Sequence, residues 1–212
     1  MQIKSSNRVK EFAEVNTNLR EVKKMLDLVK QESLRLDSRF LEPACGDGVF
    51  LDQILNRKIK QLLKNFKKNQ FEFEKFSIIT VGSIYGIEIQ KDNVLKTRES
   101  LFQKLLNTYQ ETFVDSCDQN FLKSVKFVVE KNIIHGDALL LRKPKSIEPI
   151  LFSEWSLVKN KIKRREFTFN NLLNHEPYPE NSLFSDLNNE VWIPKPINDY
   201  PLSDIYNLHK QK

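Results

Sequence analysis

Between Glu21 and Leu34, "EVKKMLDLVKQESL", the apolar residues Val22, Met25, Leu26, Val29 and Leu34 fall on one helical face with charged residues between them. This predicts an amphipathic helix laid against a sheet. Arg39 to Leu41 is a short apolar run of the kind that forms a buried strand. From Val49 helical spacing returns through Phe50, Ile54, Leu55, Ile59, Leu62 and Leu63, predicting a helix to about Phe66, followed by the polar stretch "KKNQFEFEK". "SIYGIEI", 83–89, predicts a second strand, and the stripe Val94, Leu101, Leu105 a helix over 91–107. "FLKSVKFVVE" reads as helical or mixed. "NIIHGDALLL", 132–141, predicts a third strand ending at Gly136 and Asp137, and Pro149 to Phe152 a short fourth. Strands alternating with helices over 38–152 indicate crossover units, hence an α/β fold built on a doubly wound, mostly parallel sheet. In such a sheet ligands sit at the carboxyl ends of the strands.

The periodicity gives out after Phe169. Residues 170–212 hold five of the eight prolines and no sustained period, although Trp192 and several Tyr and Phe argue against full disorder. The expected organisation is one domain over 1–169 with an irregular extension, 170–212, lying on it.

Composition changes this picture little. A chain of 212 residues, 40% hydrophobic, buries one ordinary core, and a net charge of +6 leans mildly toward a polyanionic partner. Cys45 and Cys117 are too few and too far apart for a disulfide framework or a metal cluster, and His135, His175 and His209 lack metal-ligand spacing, so no metal is expected. Without a signal-type N-terminus or an apolar run of roughly 20 residues, a cytoplasmic protein with no membrane partner is expected.

Glycine is scarce, and its placement carries the chemistry. Of the five glycines, Gly46, Gly48, Gly86 and Gly136 fall where a strand ends or meets a ligand-binding turn. Each of the three turns also carries a carboxylate: Glu42 and Asp47 at the first, Glu88 at the second, Asp137 at the third. A strand, a glycine turn and a helix start leave backbone N–H groups free for a ligand that approaches the chain closely. The acid ending the second strand is placed to accept from both hydroxyls of a ribose, and the third turn reaches the base. The first turn is not the dinucleotide pattern G-x-G-x-x-G, because Gly48 is followed by Val49, Phe50 and Leu51.

"FLEPACGDGVFL" resembles the first motif, close to D-P-A-C-G-S-G-x-F-L, of S-adenosylmethionine-dependent DNA methyltransferases of the adenine-N6 class found in restriction-modification systems. "YGIEI" resembles their second motif, "HGDAL" their third, and "RVKEFAEVNTN", 8–18, the segment that closes over the methionine part of the cofactor. The resemblance spans roughly residues 8 to 141. It implies a Rossmann-like class I methyltransferase fold, here shortened after the fourth strand, and S-adenosylmethionine as cofactor. Backbone around Ala44, Gly46 and Gly48, with Glu42 beside it, would face the methionine moiety. Glu88 would take the ribose hydroxyls, Asp137 with Ala138 the adenine amino group, and Ile89 the adenine face. Thr17 and Glu14 would hold the amino-acid end.

The family's catalytic motif, Asn or Asp, then Pro-Pro and an aromatic residue, is missing. No Pro-Pro occurs in the chain. By position Ser153, Glu154 and Trp155 fill that slot, with Trp155 available to stack on an extruded base and Glu154 to accept from its amine. Just beyond, "KNKIKRR", 159–165, supplies Lys161, Lys163, Arg164 and Arg165, either as an edge that tracks DNA phosphates or as a solvated loop. Three functions follow. The chain is a DNA adenine methyltransferase that relies on a second methyltransferase or specificity subunit, a degenerate cofactor- or DNA-binding protein that keeps the fold, or a methyltransferase for another acceptor.

Overall fold

The computed structural model describes residues 17–114, 116–173 and 194–211. Helix α1 (Leu19–Leu28) starts at Asn18, whose side chain accepts from the Arg20 N–H. At Val29 the backbone leaves helical geometry and resumes as the short α2 (Lys30–Leu34), so the single predicted helix is two. Strand β1 (Phe40–Glu42) and helix α3 (Val49–Phe66) follow as the pattern predicts. Helix α4 (Gln70–Gly82), which the pattern does not predict, leads into β2 (Ile84–Glu88). Helices α5 (Lys91–Thr112) and α6 (Gln119–Asn132) then lead to β3 (Ile133–His135). Asp118 caps α6 by accepting from the N–H groups of Asn120 and Phe121.

The three strands form one parallel sheet in the order β1-β2-β3, with Phe40 beside Ile84 and Gly86 beside Ile133. Ile84 belongs to the main core with Leu51, Leu55, Leu101 and Leu105, so α3 and α5 cover that face. Tyr85 and Ile87, pointing the other way, meet Ile150, Phe152 and Phe169 in a second cluster. Helices α4 and α6 end side by side where β2 and β3 begin. There the buried Asn132 amide donates to the carbonyls of Gly82 (3.0 Å) and Ile84 (3.2 Å).

The expected fourth parallel strand is corrected by the structure. Strand β4 (Leu151–Val158) turns at Lys159 and Asn160 into β5 (Lys161–Thr168), and the two pair antiparallel with Trp155 opposite Arg164. With β6 (Asn198–Asp199) they make a separate sheet, ordered β4-β5-β6, that lies on the Tyr85 face. The alternation of β5 is hidden in the sequence because its inward positions include Arg164 and Glu166, which pair with each other in the interior.

The molecule is thus a mixed α/β structure with a three-stranded parallel sheet. The segment expected to be irregular contributes α7 (Phe169–Leu173), β6 and a 3₁₀ turn (Leu208–Lys210), and Ile205 and Leu208 are buried in the main core. Tyr206 donates to buried Glu74 at 2.6 Å, fastening this segment to α4. Among the described residues no helix is long and apolar enough to cross a membrane, and no cluster of His, Cys, Asp and Glu is placed to hold a metal.

Candidate cofactor site at the carboxyl ends of the parallel strands

Beyond Glu42 the chain crosses from β1 to α3 in a tight turn. The Cys45 N–H donates to the Ile87 carbonyl (3.0 Å), that of Gly48 to the Cys45 carbonyl (2.9 Å), and that of Asp52 to Gly48 (2.8 Å), which begins the helix. Gly46 and Gly48 are both left-handed, with φ of 54° and 82°. At Gly48 a Cβ would lie 2.6 Å from Thr97 Cγ2, so only glycine serves. At Gly46 a Cβ would meet nothing within 4 Å, so that side of the turn is open space, while its N–H and carbonyl are engaged by Glu88 and Thr97. Gly48 brings no capping side chain, so the first N–H groups of α3 are not claimed from that position. Thr97, which the hydrophobic pattern does not single out, fixes the turn by donating to the Gly46 carbonyl at 3.1 Å. Its signal is a threonine in the apolar stripe between Val94 and Leu101.

Glu88 ties the turns together. One carboxylate oxygen accepts from the Gly46 N–H (2.8 Å) and the other from the Gln90 N–H (2.7 Å). A carboxylate has about four acceptor positions. Two are therefore left for donors on a ligand, such as a pair of neighbouring hydroxyls. Burial pushes the Glu42 carboxyl up, the Ala44 N–H opposing. Burial and the nearby carboxylates of Glu88 and Glu42 push the Cys45 thiol up to about 12, so this cysteine stays a neutral packing group.

The third turn joins the same edge. The Gly136 N–H donates to the Glu88 carbonyl at 3.0 Å, and His135 Nε2 lies 3.0 Å from the Ile89 carbonyl. Asp137 accepts through one oxygen from the N–H groups of Leu139 (2.9 Å) and Leu140 (3.0 Å), while Ile89, directly after β2, is 44% exposed. Ala138 packs into the Tyr85 and Ile87 cluster, Ala44 is exposed on the first turn, and Thr17 is exposed at the start of the described chain. Glu14 and most of the 8–18 segment lie outside the described residues. Gly46, Gly48, Glu88 and Asp137 thus stand on turns at one end of the sheet, tied by hydrogen bonds through Glu88. The open space beside Gly46, the spare acceptors of Glu88 and the exposed Ile89 are the features of this edge that could hold a cofactor.

The residues expected in the catalytic slot are elsewhere. Ser153, Glu154 and Trp155 lie inside β4 rather than in a loop at a strand end. Trp155 is 6% exposed, donates through Nε1 to Asn132 (2.9 Å) and packs edge-on against Phe127. It sits against Gly82, the last residue of α4 ahead of β2, whereas Glu88 ends that strand. The five-residue strand between them is roughly 13 Å long. Trp155 is therefore a core residue that cannot stack on a base bound near Glu88. Ser153 accepts from Arg164 Nε (3.1 Å), and Glu154 is held between Arg39 and Arg165.

The basic run is likewise not an open phosphate-tracking edge. Lys163 pairs with Asp199, Arg164 with Glu166 and Arg165 with Glu154. Arg164 is fully buried, its guanidinium 4.1 Å above the ring of Tyr200 and facing Trp155 and Phe127 as well. Only Lys159, in the hairpin turn, and Lys161 are exposed without an ion pair among the described residues of this run. No protein-family model matches the chain, and comparisons with curated proteins and with solved structures find no match.

Proposed function

We propose that this chain binds S-adenosylmethionine at the carboxyl ends of β1, β2 and β3 as a Rossmann-like, methyltransferase-type domain, and that methylation of DNA adenine requires a partner chain. The observation that carries this reading is the Glu88 carboxylate, fixed by the Gly46 and Gln90 N–H groups at the edge where all three glycine turns meet. When bound, the cofactor supplies an activated methyl group. Glu88 orients the hydroxyl-bearing part of the ligand, Gly46 leaves it room at the turn, and Ile89 covers the flat face of its base. Two free thiols, Cys45 and Cys117, suit a cytoplasmic setting.

Dependence on a partner is supported by what lies beside β1. Among the described residues this strand pairs only with β2. Phe40 donates its N–H toward β2, to the Ser83 carbonyl, so by alternation the N–H and C=O of Leu41 turn to the outer edge, where Leu41 is 43% exposed. Next to it a cavity of about 290 Å³ is lined by Phe40, Leu41, Phe152, Phe167 and Leu172. A partner strand paired there would stand beside the cofactor turn and bring the missing acceptors for the target amine. A degenerate binding protein is the second reading, favoured by the burial of Ser153 and Trp155 in β4.

Incubating the purified chain with methyl-labelled cofactor and DNA tests the proposal. Cofactor should be retained on the protein and no label should enter DNA, because the chain has no Pro-Pro motif to hold the target amine in line with the donor, and misplacement by about 1 Å alone costs on the order of 10²-fold in rate. Multiple turnovers by the isolated chain would overturn the requirement for a partner.

A further inference from the structure

Beyond β3 the chain makes an ordered turn that points apolar side chains at water. Leu139 is 94% exposed, Ile147 92% and Leu140 55%. The turn is held from within. Asp137 accepts from the N–H groups of Leu139 and Leu140 and exchanges backbone hydrogen bonds with Arg142 (2.9 and 3.3 Å). Lys143 donates to the Glu148 carbonyl (2.9 Å), and Ile150 to that of Leu141 (3.1 Å). Leu141 and Ala138 anchor its base in the cluster around Ile87 and Ile150. Two residues other than glycine, Leu141 and Lys145, stand at φ of 54° and 55°. Such a conformation costs on the order of 1 to 2 kcal/mol for a residue with a Cβ. The fold thus holds a strained, fixed turn with Leu139 and Ile147 almost wholly outside, where they add little to the core.

The charges at the turn are cationic. Lys143 is paired with Glu148, whereas Arg142 and Lys145 make no ion pair among the described residues. We propose that this turn, residues 138–147, is a contact for duplex DNA, in which Leu139 and Ile147 wedge against base steps while Arg142 and Lys145 take flanking phosphates. Apolar side chains inserted between base steps, with basic residues beside them, are a recurrent way of gripping and kinking a duplex. The inference rests on the reading of DNA as methyl acceptor, because the turn leaves the sheet at Asp137, on the edge shared with Glu88 and Gly46. A duplex seated there brings a base toward the methyl donor. An anionic bilayer matches the same charges but offers no acceptor.

The test uses the full chain and a mixed-sequence duplex carrying 2-aminopurine, with fluorescence anisotropy for affinity and base emission for unstacking. Leu139→Ser with Ile147→Ser should abolish the emission rise and weaken binding about tenfold without changing its salt dependence. Arg142→Gln with Lys145→Gln should instead lower the salt slope by roughly 0.9 for each phosphate that is no longer neutralised. None of the four side chains is buried in the core, so the variants should melt with the wild type. Unchanged affinity and emission in both double variants would overturn the inference, as would binding to phosphatidylserine vesicles with none to duplex. Cofactor binding, measured separately on the same samples, keeps the two readings apart. Duplex binding that disappears in the variants, without any cofactor binding, sustains the turn and removes the cofactor site. Cofactor binding by a wild type that ignores DNA does the reverse.

Discussion

Arg164→Met should destabilise the protein by about 3 to 5 kcal/mol, the usual consequence of removing one member of a buried ion pair. Arg164 donates to Glu166, to Ser153 Oγ and, at 3.1 Å, to the Gln211 carbonyl, and its guanidinium stacks on Tyr200. Burial works to raise the Glu166 carboxyl, but the hydrogen bonds from Asn198 and Tyr200 and the charge of Arg164 outweigh it and hold the group below its ordinary value. Without the guanidinium a buried carboxylate keeps only neutral donors, and the segment carrying Tyr200 and Gln211 loses its clamp on β5. At about 2 to 4 °C per kcal/mol for a chain of this size, melting should fall by roughly 6 to 20 °C. Lys161→Met, at an exposed position of the same run, should stay within about 0.5 kcal/mol of the wild type. Equal melting of the two variants would return Arg164 to the surface.

The second large effect depends on pH. Lys58 is fully buried and donates to the carbonyls of Leu36 (3.3 Å) and Ser38 (2.5 Å) and to Ser83 Oγ (2.5 Å), joining the entry to β1 with the end of α4. Burial pushes its ammonium from an ordinary 10.5 down to about 7; Asp37 and Glu32 draw it up and Arg35 adds to the fall. Because the folded value is the lower one, between about 7 and 10.5 the unfolded chain holds a proton that the folded chain does not. Stability from this group is therefore full above 10.5 and is lost as pH falls to about 7. Across that window the stability of the wild type relative to Lys58→Met should rise by roughly 1.4 kcal/mol per pH unit at its steepest. Urea unfolding at several pH values checks this, and parallel curves for the two proteins would contradict it.

What could be read from the sequence was whatever has a one-sided pattern. β1, the Gly46 to Gly48 turn and α3 were legible because a short run with Phe40 and Leu41, two glycines and an 18-residue helix with one apolar stripe follow in close succession. Helix α4 was not, because it is buried on nearly every side: Phe73, Glu74, Ile78 and Val81 are all inside, and no polar face marks its period. The β4–β5 hairpin was hidden by charges in inward positions, Arg164 and Glu166, whose mutual pairing no periodicity reveals. That misreading carried the site with it, since placing a strand at 149–152 put Ser153 to Trp155 at a strand end. The glycine and carboxylate turns were legible for a different reason. Left-handed backbone and the close approach of Thr97 to Gly48 leave few residue choices, so backbone geometry and sequence coincide there.

Calorimetric titration of the purified chain with S-adenosylmethionine tests the central claim most directly. One site should be filled on the wild type, and Glu88→Ala should weaken it by about 1.5 to 3 kcal/mol, roughly ten- to more than a hundredfold, because the hydrogen bonds to a charged acceptor are gone. Trp155→Phe, remote from the site, should bind as the wild type does. A wild type that takes up no cofactor, or a Glu88→Ala protein that is folded and binds equally well, would contradict the account.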